Sequence, residues 1–227
     1  PHAAHRCRRR GAFTCQELGA DQGDGCTPPS PLHKAGQGGI LWSTDFPVRF
    51  RHILDTAVYA EAGAFVTLRD EWHALLPATA ANTVFSTPEW LGTWWQVFGK
   101  DRPLHVVAFR QDGELVGLAP LMRSVEDGHR CVCFIGGLDV SDYFDILVRQ
   151  GQEASTLSTF LDHIDTLPDW DVVDLHSVCD GSPTLTLLPD LARARGYAVS
   201  IKQEEGCPII QLPATWDAYL DSLSKKD

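Results

Sequence analysis

The alternation of apolar and polar positions is strongest between Leu104 and Val148, where the chain reads as an antiparallel meander. Leu104-His-Val-Val-Ala-Phe-Arg110 is rich in β-branched and aromatic residues, and Gln111-Asp-Gly113 supplies the Asp-Gly chemistry of a tight hairpin turn. The return limb, Glu114 to Arg123, contains Gly117 and Pro120. Proline has no N–H to give to a ladder, so this strand is expected to bulge or end near Pro120 and the sheet to splay there. A third limb, Arg130 to Ile135, stops at Gly136-Gly137, and Ser141-Asp-Tyr-Phe-Asp145 leads into the short apolar run Ile146-Leu-Val148.

On either side the period lengthens from two to between three and four. Val48 to Leu54 reads as an edge strand, and Phe65 to Leu76 as a helix through Leu68, Trp72, Leu75 and Leu76 that Pro77 stops. Ser86-Thr-Pro-Glu89 offers a capping hydroxyl, a first-turn proline and an early acid, and so opens a second helix carrying Trp90, Trp94 and Trp95. After the meander, helix and strand alternate. Glu153 to Leu167 is an amphipathic helix, Trp170 to His176 a buried-type strand, and Thr184 to Arg195 a helix closed by Gly196. Strands are expected at Tyr197 to Lys202 and Pro208 to Leu212, and a last helix from Thr215, its cap, to Leu223. The fold class expected is α/β with a mixed sheet.

Residues 1–44 differ in kind. They contain Arg-Arg-Arg, Pro-Pro-Ser-Pro and Gly-Gln-Gly-Gly with almost no apolar period, and are expected to be a disordered tail. Residues 45–212 form the expected domain. The chain starts at Pro1 and stops at Asp227 within a helical pattern, so 213–227 is read as the start of a helix leading into a further, missing half.

The net charge of −11 argues against a general nucleic-acid or anionic-membrane binder, because those partners require a basic face. No apolar run approaches the roughly 20 residues of a spanning helix, and no signal core follows the N-terminal arginines, so the protein is expected to be cytoplasmic. The seven cysteines are odd in number and scattered, which favours reduced thiols. Cys7, Cys15 and Cys26, with His2, His5 and His33, lack the paired spacing of a structural zinc site. Cys131 and Cys133 share one face of a strand without further ligands nearby, so no metal site is expected.

Three tryptophans on one short helix could stack a sugar or a base, or form a buried stripe; burial is the commoner use. Asp142, Tyr143 and Asp145 are the candidate catalytic residues. They follow a Gly-Gly turn and precede a buried strand, so a carboxylate could accept a proton from an amine while Tyr143 donates to an oxyanion. The alternative is a capped turn with its aromatic residues plugging the core. His176 reads as a hydrogen-bonded core histidine in preference to a general base.

The succession Leu68-Arg-Asp-Glu-Trp72, Ser86-Thr-Pro-Glu-Trp90, Gly117-Leu-Ala-Pro-Leu121, Phe134-Ile-Gly-Gly137, Ser141-Asp-Tyr-Phe-Asp145, Trp170-Asp-Val-Val-Asp-Leu175 and Trp216-Asp-Ala-Tyr-Leu-Asp-Ser-Leu223 resembles the N-terminal half of the CelD/BcsL acetyltransferases. These belong to the GNAT superfamily, are associated by name with cellulose biosynthesis, and are distantly similar to Fem-type aminoacyl transferases. The resemblance covers about 48–227. It implies a GNAT-like acyl-CoA N-acyltransferase fold in the first half of a tandem, and acetyl-CoA or another acyl-CoA as cofactor. The reaction implied is attack of a deprotonated amine, such as one on a sugar or polysaccharide precursor, on the thioester.

In that superfamily the CoA pyrophosphate sits on backbone amides where a helix starts, in a Gln/Arg-x-x-Gly-x-Gly/Ala loop. The corresponding stretch, Val148-Arg-Gln-Gly-Gln-Glu-Ala-Ser155, has one glycine and an acid, so no cofactor-binding residue is assigned in this half. Two rivals stand beside the enzyme reading. One is a non-catalytic module that binds acceptor or packs on a catalytic half; the other is a Fem-like transferase using aminoacyl-tRNA, which the acidic charge disfavours.

Overall fold

The computed structural model describes residues 54–99, 101–137, 140–206 and 212–223, together with the backbone of 7–14. The expected strands at Val48 to Leu54 and Pro208 to Leu212 lie almost wholly outside the described residues. The fold is mixed α/β around an eight-stranded mixed sheet. In chain order the strands are β1 (Cys7–Thr14), β2 (Asp55–Tyr59), β3 (Leu104–Gln111), β4 (Glu114–Glu126), β5 (His129–Phe134), β6 (Leu147–Val148), β7 (Val172–Cys179) and β8 (Ala198–Gly206). Across the sheet the order is β2-β3-β4-β5-β7-β1-β8, with β6 alongside β4. All pairings are antiparallel except β5 with β7.

The hairpin between β3 and β4 turns at Asp112 (φ 52°) and Gly113 (φ 84°), the two left-handed residues that Asp-Gly chemistry supplies most cheaply. A second Asp-Gly pair, Asp127 (φ 51°) and Gly128 (φ 82°), turns β4 into β5.

β4 corrects one expectation: it neither ends nor bulges at Pro120. The bulge lies four residues earlier, where Phe109 faces Gly117 but Arg110 faces Leu115. Val116 is the extra residue. Pro120 is tolerated because it sits where the neighbour of β4 changes from β5 to β6; its carbonyl accepts from Ile135, and no ladder partner there requires its missing N–H.

β1 is the other correction, because residues 1–44 were expected to be disordered throughout. Backbone bonds to β7 on one edge and β8 on the other hold Cys7–Thr14. Such a ladder requires no apolar period, which is why the sequence does not announce it.

Helices cover both faces of the sheet. On one lie α1 (Ala64–Thr67), α2 (Arg69–Leu75) and α3 (Pro88–Trp94), the last continuing as a π-helical turn over Trp95–Gly99. Trp72, Leu75, Leu91, Trp94 and Trp95 pack there against Val106, Ala108, Leu118 and Ile135. On the other lie α4 (Glu153–Thr166), α5 (Pro183–Thr186) and α6 (Leu188–Ala194). Leu157, Phe160, Leu161 and Ile164 of α4 meet Phe109, Leu121, Phe134 and Val173. Gly117 permits this contact, since a Cβ there would come within 2.4 Å of Thr156 Cγ2. The final helix, α7 (Trp216–Leu223), buries none of its residues, and Thr215 caps it by accepting from the Ala218 N–H.

Candidate functional site

The parallel strands β5 and β7 pair over only three positions, ending at Cys133 opposite Asp174. Beyond that point they part, and the segment from Ser141 to Ile146 occupies the fork. The Phe144 N–H donates to the Ser177 carbonyl on β7 at 3.2 Å. Its ring stacks on Phe134 of β5 and meets His176 of β7 edge-on, with centroids 6.0 and 5.0 Å apart. Gly136 is required beside it: its φ is 146°, and a Cβ there would fall 2.1 Å from the Phe144 ring.

The structure separates the three sequence-predicted site residues. Asp142 and Tyr143 are half-buried at the mouth of the fork. Asp145 is only 6% exposed, and its Oδ1 has no hydrogen-bond partner. Burial pushes the Asp145 carboxyl up to about 6, against the opposing pull of the Ser182 and Thr184 side chains and the Ile146 amide. A carboxylate so enclosed can hold or release a proton near neutral pH, but it does not face solvent. Of the two acids, Asp142 is the one with exposed surface. His176 sits in β7 at a bulge opposite β1, half-buried against two phenyl rings.

Sequence reasoning missed Ser177. It is fully buried, has φ 55°, and gives its N–H to a carboxylate oxygen of Glu204 on β8 at 2.9 Å. A left-handed non-glycine residue inside a strand marks local strain, and no residue-type signal foretells it.

Also unforeseen is a groove of about 400 Å³ beside the fork, walled by Trp90, Trp94, Val97 and Phe98 on one side and Val84 and Val140 on the other. Val84, Val97, Phe98 and Val140 are 57, 61, 54 and 44% exposed, so four large apolar side chains gather on one concave surface. The clue in the sequence is that Val97-Phe98 extends the apolar character of α3 beyond a single stripe. Trp94 and Trp95 are both buried, as the stripe reading expects, and Trp90 is half-buried against the same cluster.

The groove is tied to the fork. The Trp90 indole N–H donates to Ser141 Oγ at 2.9 Å, and Phe85 lies between Trp90 and Tyr143, with ring centroids 5.1 and 6.2 Å away. Thr87 caps α3 by accepting from the Trp90 N–H, as the sequence predicts. Glu89, in the first turn, receives Arg69 and His73 on Oε1; the His73 contact leads the effects that hold its carboxyl down at about 2.

The start of α4, the stretch compared above with the acyl-CoA pyrophosphate loop, does not fit that group. Glu153 Oε1 already accepts from the Gly151 N–H at 3.0 Å, and Ser155 Oγ is turned back onto Gln152. Glu153 is also the only charged residue lining the roughly 300 Å³ hollow beside it. An ionised carboxylate there repels an anion instead of cradling it.

Among the described residues, no cluster of three or more His, Cys, Asp or Glu could hold a metal ion, and no helix is long and apolar enough to cross a membrane. The tail cysteines and histidines lie outside the described side chains. No protein-family profile matches the chain, and no curated protein matches it.

Proposed function

We propose that the chain is the acceptor-binding half of a CoA-dependent N-acyltransferase of the GNAT type, a tandem protein of which this is the first half. What supports the reading is the fork between β5 and β7 with Ser141 to Ile146 laid into it and the half-buried Asp142 and Tyr143 within that segment, which Trp90 ties through Ser141 to a neighbouring aromatic groove. An amine bound at that segment would lie beside a carboxylate able to take its proton and a phenol able to donate. The start of α4 is closed to a pyrophosphate by its own Glu153, so acyl-CoA belongs to another part of the protein.

The experiment has two arms. Isothermal titration of this chain with acetyl-CoA is expected to give no saturable binding in the low-micromolar range. Release of CoA thiol by the full-length protein, supplied with acetyl-CoA and a panel of primary amines, is expected to depend on the amine. Amine-independent thiol release, or tight binding of acetyl-CoA to this chain, would sink the reading.

One observation favours the rival of a non-catalytic packing module. Helix α7 leaves Trp216, Leu220 and Leu223 exposed at helical spacing, a stripe suited to packing. That rival predicts thiol release that is indifferent to Asp142.

A further inference from the structure

Two exposed apolar surfaces of this chain have complementary shapes. One is concave: the groove beside α3, where Val84, Val97, Phe98 and Val140 lie open. The other is convex. Trp216, Leu220 and Leu223 are 68, 45 and 61% exposed on α7, at the i, i+4, i+7 spacing of a helix that lays one face into a groove.

Helix α7 has eight residues, and isolated helices shorter than about 12 residues are marginal in water, so its stability must come from burying an apolar face. Within its own chain it buries none of its residues. The surface that covers the stripe therefore lies outside the chain.

The groove suits that stripe in chemistry. Thr87 Oγ1 and Thr93 Oγ1 donate to the Val84 and Glu89 carbonyls, and the Trp90 indole N–H to Ser141, which leaves mainly aromatic and aliphatic walls. Glu89, the charged residue of the lining, is exposed and holds Arg69 and His73 on Oε1, so its second oxygen stays hydrated when an apolar face covers the valines and Phe98. Charge agrees with the fit. Asp217 and Asp221 lie beside the stripe of α7, and two cations flank the groove, Arg69 on Glu89 and Arg102 on the Phe98 carbonyl.

Area selects the arrangement. The four open side chains of the groove and the three of α7 together expose the equivalent of about four whole side chains, roughly 700 Å² at about 175 Å² each. One such contact falls short of the roughly 1,200 Å² of a stable specific interface, whereas two reciprocal contacts, about 1,400 Å², reach it. Reciprocal contacts also close at two copies, where one-way contacts would continue from chain to chain.

We infer that two copies of this chain exchange their last helices, α7 of each lying in the α3 groove of the other with Trp216, Leu220 and Leu223 against Val97, Phe98 and Val140. The exchange is independent of the acyltransferase reading, since it uses neither Asp142 nor a cofactor.

Sedimentation equilibrium of the chain tests it. The 25.0 kDa monomer is expected to give way to a species of twice that mass, with a Kd of about 1–100 µM. Leu220→Asp on the helix and Val97→Asp in the groove, both at exposed positions, should each raise that Kd at least about tenfold while leaving Tm within about a degree or two; Val97→Leu should leave the dimer intact. Mixing the two weakened variants joins one sound helix to one sound groove, so the mixture should associate more strongly than either variant alone. A chain still monomeric at about 200 µM overturns the inference. So does a dimer that survives Val97→Asp, which would be helix on helix, a dimer that survives Leu220→Asp, which would be groove on groove, or a mixture no more associated than its components.

Discussion

Replacing Asp145 by asparagine tests the site through its proton. In the folded protein the carboxyl loses its proton near pH 6; its ordinary value is 3.8. Folding therefore takes up a proton between those limits. The stability this gives is fully present below pH 3.8 and is lost as pH rises through about 6. At 1.36 kcal/mol per pH unit, the loss is about 3 kcal/mol. Asparagine has nearly the same shape and does not titrate.

Urea unfolding of both proteins from pH 4 to 7.5, followed by tryptophan fluorescence, should show Asp145→Asn gaining on the wild type by about 3 kcal/mol as pH rises. Groups common to both proteins, such as Glu89 and Asp171, drop out of the difference. In the wild type alone the effect is masked. His105 is held down at about 4, by burial first and then by the nearby charges of His163 and Arg123, and so contributes a slope of opposite sign. A difference that stays constant across this range would show that Asp145 is not desolvated, and would remove the reason for setting it apart from Asp142.

Other expectations follow from the same geometry. Asp142→Asn in the full-length protein should lower amine-dependent thiol release while leaving Tm within a degree or two. A capped-turn role would instead cost roughly 1 kcal/mol, and unchanged turnover would refute the assignment. His105 Nε2 lies 2.8 Å from His163 Nε2, joining β3 to α4. Its folded pKa is depressed, so its contribution is complete above about pH 6.5 and falls away toward pH 4. His105→Gln should therefore remove about 3 kcal/mol of acid sensitivity, read as a flatter plot of unfolding free energy against pH. Gly117→Ala should destabilise by about 1–3 kcal/mol through its contact with Thr156, and Thr156→Ser should recover part of that loss in the double variant, measured by thermal melts.

Wherever a local rule acts alone, the sequence by itself determined the structure. Asp112-Gly113 turns the hairpin because only left-handed backbone closes two residues between twisted strands. Thr87-Pro88-Glu89 opens α3 because the first amides of a helix need an acceptor. The apolar period of α4, Leu157, Phe160, Leu161 and Ile164, falls on its buried face.

Three things waited for the tertiary structure. Backbone ladders carry no side-chain signature, so Cys7–Thr14 looked unstructured until β7 and β8 were seen to bracket it. Proline's missing donor matters only where a neighbour would accept, so Pro120 could be judged only once β5 was seen to part from β4. The site was half legible: the cluster at 141–145 stood out by composition, but which acid is enclosed and which meets solvent depends on where β5 and β7 diverge. The groove beside it is made by Val84, Val97 and Val140, residues far apart in the chain that become a surface only when α3 folds against the fork.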